Sequence, residues 1–173
     1  MEPTAERYES PEQAAARLLD TYWGDTIPVD PARIARALDL RVMDVYLGDH
    51  LDGALVKEPD AEPSIALNAE HHPNRKRFTL AHEIGHYVKR GQAVEPAEFE
   101  DYEYIDRRDG GSSTGTQEEE IYANRFAAAL LMPEDALRTF HRRGWNVNDM
   151  ARRFGVSRAA LENRLKNLQL SDW

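Results

Sequence analysis

The chain has 173 residues, 41% of them apolar, a formal net charge of −9 and no cysteine. That length suits one domain with a real core rather than two large ones. The acidic balance argues against a protein that is chiefly a nucleic-acid binder, because phosphate contacts need a surplus of Lys and Arg. Lack of cysteine removes disulfides, thiolate nucleophiles and thiolate zinc ligands together, so any metal must be held by His, Asp or Glu. No apolar run approaches the roughly 18 residues of a membrane span. The opening Met1-Glu2-Pro3-Thr4-Ala5-Glu6 is acidic and polar, unlike a signal peptide. The expectation is a cytoplasmic enzyme with no membrane partner.

Taken in order, Ser10-Pro11-Glu12-Gln13 is a helix start, with Ser as N-cap, Pro at the first position and Gln placed for a capping box. Ala14, Ala15, Leu18, Leu19, Tyr22 and Trp23 follow with helical spacing, and Gly24 ends the segment. Asp30-Pro31 repeats the signal for a short helix carrying Ile34, Ala35 and Leu38. From Arg41 the period changes: residues 42–47, 54–56 and 64–68 read as three strands, separated by Gly48-Asp49, by a turn or strand start at Asp52-Gly53, and by the polar, proline-bracketed loop 58–63. An exposed edge of such a sheet can hold an extended peptide by strand addition.

Asn74 is a candidate cap for a helix over 75–89 that carries His82-Glu83-Ile84-Gly85-His86. On a helix, residues four apart lie about 40° from eclipsed and about 6 Å along the axis, so both imidazoles can reach one ion. Glu83, about 100° around from His82, lies beside that ion, placed to take a proton from water. Gly85 costs about 1 kcal/mol in a helix interior relative to Ala; close backbone approach at the site and a crowded helix crossing explain it equally well.

Residues 91–117 are irregular and acidic, with the linker-like Asp109-Gly110-Gly111-Ser112-Ser113-Thr114-Gly115. They read either as a solvated mobile loop or as a gate beside the metal. The next helix begins near Glu118, and its Glu120, Asn124, Ala127, Ala128 and Leu131 share a face. A carboxylate one turn ahead of a stripe of small residues can reach a metal on a neighbouring helix. Glu120 then completes a His82, His86, Glu120 set that leaves a fourth position for water, the open arrangement of catalytic zinc. Asn124 is placed to hydrogen-bond a ligand and fix its orientation. Glu118 and Glu119 read as a solvated helix N-terminus. The ligand set suits Zn2+ and also accepts another divalent ion such as Mn2+.

The end of the chain reads as a helix over 133–143, then helix, turn and helix over 147–165 with Gly155 in the turn and Ser157 capping the second. Residues 141–166 hold seven Arg or Lys against two acidic residues. That surplus supports DNA contact. Met150, Phe154, Val156, Leu161 and Leu165 support instead an ordinary two-helix core.

The segment Arg77-Phe78-Thr79-Leu80-Ala81-His82-Glu83-Ile84-Gly85-His86, followed by Glu120-Ile121-Tyr122-Ala123-Asn124-Arg125-Phe126-Ala127-Ala128-Ala129-Leu130-Leu131-Met132-Pro133, resembles the ImmA/IrrE-type metallopeptidases. More loosely the resemblance runs from Val29 to Leu170. It implies an α+β, zincin-like fold, His82, His86 and Glu120 as zinc ligands and Glu83 as general base and acid. It also implies an activity on helix-turn-helix repressors of phage, mobile-element or stress-response genes. Set against the longer radiation-response members, the expected differences are the lack of a C-terminal sensor-like domain and a longer, more acidic loop before Glu120. The expected organisation is a metallopeptidase core over 1–133, with its small three-stranded sheet packed on the active-site helix, and a helix-turn-helix-like segment over 134–173 packed on that core. The competing expectation is a regulatory DNA- or protein-binding module with a sensor or structural metal. Tyr87, Tyr102, Tyr104, Tyr122, His71 and His72 are candidate oxyanion donors among which the residues do not choose.

Overall fold

A computed structural model of the chain describes residues 9–58, 60–93, 102–107 and 116–170. The elements are α1 (Pro11–Tyr22), α2 (Pro31–Ala37), β1 (Arg41–Val45), β2 (Leu51–Lys57), β3 (Ser64–Asn68), α3 (Pro73–Ala93), β4 (Tyr102–Arg107), α4 (Gln117–Leu131), α5 (Glu134–Arg142), α6 (Val147–Phe154) and α7 (Arg158–Asn167). The fold is α+β, as expected.

Local chemistry sets the helix ends. Ser10 and Gln13 form a reciprocal capping box at α1, and Asp30 accepts from the Ala32 N–H at α2. Caps of this kind contribute about 1 kcal/mol each. Gly155 closes α6 in the left-handed region at φ 67°, and the Ser157 side chain caps α7. Two boundaries differ from the sequence reading. Helix α3 starts at Pro73, because the His72 ring takes the Asn74 N–H at 3.1 Å and supplies the cap expected of Asn74 itself. Helix α4 is capped by Thr116 in a capping box with Glu119, so Glu119 has a defined partner and is not merely a solvated carboxylate.

The three expected strands are present, and a fourth joins them. Their order is β1-β3-β2-β4, with β1 parallel to β3 and both β3 and β4 antiparallel to β2. Strand β4 comes from within the acidic 91–117 stretch, most of which lies outside the described residues. Of the two readings of Asp52-Gly53, a turn or a strand start, the strand start holds, with both residues in the opening of β2. Gly53, Leu55, Ile65 and Leu67 are buried at alternate positions, the period expected where one face of a sheet is covered. That face packs on α3. One apolar cluster runs through the molecule, from Leu18 and Ile34 through Ile65, Ile84, Phe126 and Leu130 to Leu137, Phe154 and Leu161.

Candidate metal centre

Helix α3 runs between the sheet and α4, and its crossing with α4 is close for a steric reason. A Cβ at Gly85 would stand 3.0 Å from Ala123 Cα and 3.2 Å from its carbonyl oxygen. Glycine therefore serves the crossing, and Ala123 is the small residue it meets, outside the stripe read from the sequence. The approach brings the first turn of α4 over the middle of α3. On the opposite side β2 passes so near that a Cβ at Gly53 would lie 2.7 Å from Thr79 Cγ2 and 3.8 Å from Glu83 Oε1.

Between these walls His82, His86 and Glu120 converge. His82 Nε2 lies 3.0 Å from His86 Nε2 and 3.2 Å from Glu120 Oε2, and His86 Nε2 lies 3.0 Å from Glu120 Oε1. Ligands about 2.0–2.1 Å from a tetrahedral metal are about 3.3–3.4 Å from one another, so the triangle is a few tenths of an ångström from that geometry. The protonation pattern agrees. The Asn124 side-chain oxygen, 2.8 Å from His82 Nδ1, can only accept, so His82 donates from Nδ1 and its Nε2 lone pair faces Glu120 and His86. Burial alone would push the Glu120 carboxyl up. When the imidazoles are charged and no cation lies between the three groups, their hydrogen bonds and charge outweigh burial and hold the carboxyl well below the usual carboxylate range. The site thus favours positive charge at this point, which a cation supplies once Nε2 is a lone pair. A site built this way presents lone pairs and negative charge to one point, which is what a divalent cation requires. The residues fit a metal.

Burial sorts the roles further. His82, Glu83 and His86 are 6%, 0% and 1% exposed, while Asn124 is exposed and Glu120 is partly so. Glu83 lies under β2, on the same helix as the histidines but outside the triangle of candidate ligand atoms. A carboxylate buried beside a cation site can hold and return a proton.

Of the candidate oxyanion donors, Tyr122 is buried with its hydroxyl accepting from Gln92 at 3.2 Å, and His72 is the helix cap. His71 sits 3.5 Å from Asp52, and burial pushes the Tyr87 hydroxyl up. The side chains of Tyr102 and Tyr104 lie outside the described residues. Sequence reasoning missed the close approach at Gly53, although an isolated glycine within a strand is a known sign of it. It also missed a cleft of about 820 Å³ beside the site, lined by Asn124, Thr79 and residues of α7. Among the described residues no helix is long and apolar enough to cross a membrane.

Known proteins resemble the chain in sequence and in fold. The chain is similar to the radiation response metalloprotease IrrE of Deinococcus radiodurans, 32% identical over 120 residues that make up 69% of this chain and 30% of that protein. The same-named protein of Deinococcus deserti is 37% identical over 97 residues, 54% of this chain and 32% of that one. The chain thus spans about a third of the length of these relatives. In three dimensions it is similar to a Mycobacterium tuberculosis transcriptional regulator, with a TM-score of 0.63 and 19% identity over 92% of this chain and 47% of that one, a likeness of fold. A sequence model of the peptidase M78 family, the IrrE N-terminal-like domain, matches residues 35–166, and the chain belongs to that ImmA/IrrE-type family.

Proposed function

We propose that the protein is a zinc-dependent endopeptidase that hydrolyses a peptide bond in a helix-turn-helix transcriptional repressor, relieving repression of phage, mobile-element or stress-response genes in the cytoplasm. The observation that carries the reading is the convergence of His82, His86 and Glu120 beside a carboxylate that is 0% exposed. Zn2+ there, or Mn2+ on the same donors, supplies Lewis acidity and a water of lowered pKa. Glu83 accepts the proton of the attacking water and returns it to the leaving amine. Asn124 holds the His82 ring in the orientation that turns Nε2 toward the ion. The names of the Deinococcus relatives support a protease. We infer further that 134–173 acts as an accessory segment packed on a 1–133 peptidase core. DNA contact through that segment ranks below this reading, because one face of α7 is turned to the cleft beside the site.

The test is Glu83→Gln. Purified with zinc and incubated with a helix-turn-helix repressor encoded by a neighbouring gene, the variant should keep one metal per chain while cleavage falls by about 10²–10⁴-fold. Cleavage undiminished by both Glu83→Gln and Glu120→Ala would sink the proposal.

A further inference from the structure

The side-chain amide of Asn124 has two ends, and the metal centre uses one of them. Its Oδ1 lies 2.8 Å from His82 Nδ1 and accepts from it. The opposite arrangement, with Nδ2 donating to the ring, would put the imidazole proton on Nε2 and leave His82 no lone pair for an ion. The tautomer that serves the site therefore also fixes which end of the amide is left over. That end is Nδ2, with both its N–H groups. Among the described residues it has no hydrogen-bond partner, and it is not shut away from solvent: Asn124 is exposed and lines the cleft beside the metal centre.

The rest of the cleft says what class of group this donor meets. Its charges are matched. Arg75 pairs with Asp52 at 2.8 and 2.9 Å, Arg125 pairs with Glu12 at 2.9 Å, and Arg164 lies under the charges of Glu12 and Glu134 in a second cleft that it also lines. With its charges matched, the cleft selects no charged side chain. What it offers besides is neutral: the Asn124, Asn163 and Asn167 amides and the apolar surface of Phe78, Ala128 and Ala160. Groups of that kind suit an uncharged peptide main chain, whose carbonyls are the acceptors that an unspent N–H requires.

Distance narrows the choice of carbonyl. An imidazole ring and a hydrogen bond of 2.8 Å stand between the ion's position and the amide, too far for Nδ2 to touch an oxygen held on the metal. An extended chain advances about 3.3–3.6 Å per residue, which brings a carbonyl one or two residues along from the attacked bond within reach.

We propose that Asn124 is a substrate-binding residue as well as the support of His82: its Nδ2 donates to a main-chain carbonyl of the substrate peptide, one or two residues from the bond that is cut, and sets the register of the chain over the metal. The inference rests on the metallopeptidase reading and deepens it. Because the acceptor is main chain, the contact holds the substrate without regard to its side chains.

Asn124→Asp separates the two ends, since it keeps an acceptor for His82 Nδ1 and replaces the donor by an oxygen. The probes are peptide hydroxamates, with the metal-anchoring group at either end of the peptide. In each, the carbonyl oxygen of the first, second or third residue from the anchor is replaced by thioamide sulfur, a weaker acceptor. Calorimetry on the zinc-loaded protein reads their affinities beside that of acetohydroxamate, which has no peptide to lay in the cleft. In the wild-type protein one position should lose about tenfold on sulfur substitution, the worth of one hydrogen bond. Asn124→Asp should weaken the all-oxygen peptide by about tenfold or more and bring the sulfur penalty at that position to within about twofold. Acetohydroxamate and metal affinity should stay within about threefold of wild type. No position sensitive to sulfur, or a penalty that persists in Asn124→Asp, overturns the contact and leaves the peptidase reading standing. Failure of every hydroxamate, acetohydroxamate included, to bind in a zinc-dependent way overturns both.

Discussion

Two helix pairs share the one core, and they are built on opposite terms. Helices α3 and α4 cross at a glycine, with a Cβ-sized gap filled by Ala123, and bury two histidines and a glutamate. Helices α6 and α7 meet through Met150, Phe154, Leu161 and Leu165, and keep most of their charges outside, some paired along their own length as Asp149 with Arg152 and Arg158 with Glu162, while Arg164 is buried with its Nε donating to the Met132 carbonyl. Apolar packing explains the seam of the second pair. It cannot explain the first, because burying titratable groups is unfavourable unless something compensates. The difference teaches that a polar interior at a tight crossing marks chemistry, whereas a run of charges on a helix marks solvent.

The largest expected effect comes where the two pairs are tied together. Arg77 of α3 donates to the carbonyls of Gly155 at 3.1 Å, Phe154 at 3.3 Å and Val29 at 2.6 Å, reaching the turn of the C-terminal pair and the approach to α2 at once. Burial pushes its pKa down, against the opposing charge of Asp30. Arg77→Ala strands three carbonyls and should cost about 3 kcal/mol, a fall in Tm of about 6–12 °C for a chain of this size. Arg77→Lys should recover only part, since an ammonium cannot span the same acceptors. A melting curve unchanged by Arg77→Ala would mean that the two pairs are held together by their apolar contacts alone.

Within the first pair, Asn124→Ala removes the acceptor that sets the His82 tautomer. Metal affinity, read by competition with a chelator, should fall by about 10–100-fold with little change in melting of the metal-free protein. Asn163→Ala on α7 should leave the affinity alone. Equal effects from the two would dissolve the distinction between them.

Gly85→Ala sets two effects against each other. Removing a glycine from a helix interior gains about 1 kcal/mol. The new methyl meets Ala123 backbone at 3.0–3.2 Å, which cannot step aside as a side-chain tip can, and such overpacking costs about 1–3 kcal/mol. The net expectation is a loss of about 1 kcal/mol, accompanied by weaker metal binding as Glu120 is pushed from the histidines. A stabilised variant with unchanged metal affinity would show that α4 can move off α3 without disturbing the ligands.

The same contrast explains what could be read from residues alone. His82, Glu83 and His86 were legible because a single helix fixes their geometry through its own repeat. Glu120 was legible once a helix was inferred around it, but its distance to the histidines depends on Gly85 meeting Ala123, a matter of tertiary fit that periodicity does not encode. Strand β4 was illegible for a related reason: its stretch is acidic, its alternation is too short to stand out, and it is a strand because β2 offers it an edge. The cleft was hidden most deeply. Asn163, Arg164 and Asn167 lie on a helix whose surplus of Arg and Lys reads as a basic surface, and only the tertiary placement of α7 puts them on one cleft with residues of α3 and α4.

At the small end of the scale stands the basic surface of the second pair, where the rival DNA-binding reading would have to reside. Arg158 reaches Glu162 at 2.7 Å and Asn148 at 3.3 Å, with a side chain 60% exposed. An exposed pair one helical turn apart contributes about 0.3–0.5 kcal/mol, so a double-mutant cycle of Arg158→Ala and Glu162→Ala should find a coupling of that size and no change in metal affinity. The same arginine is a sharper probe of function than of stability. If α7 served a nucleic-acid groove, neutralising Arg152, Arg153 and Arg158 would abolish a salt-dependent affinity for duplex DNA and flatten its slope by about one unit for each phosphate no longer neutralised. With two of those three already engaged by Asp149 and Glu162, and with the polar face of α7 spent on the cleft, the expected slope for the wild-type protein is close to zero. A steep slope would move the helix-turn-helix-like segment from the wall of a cleft to a surface in its own right.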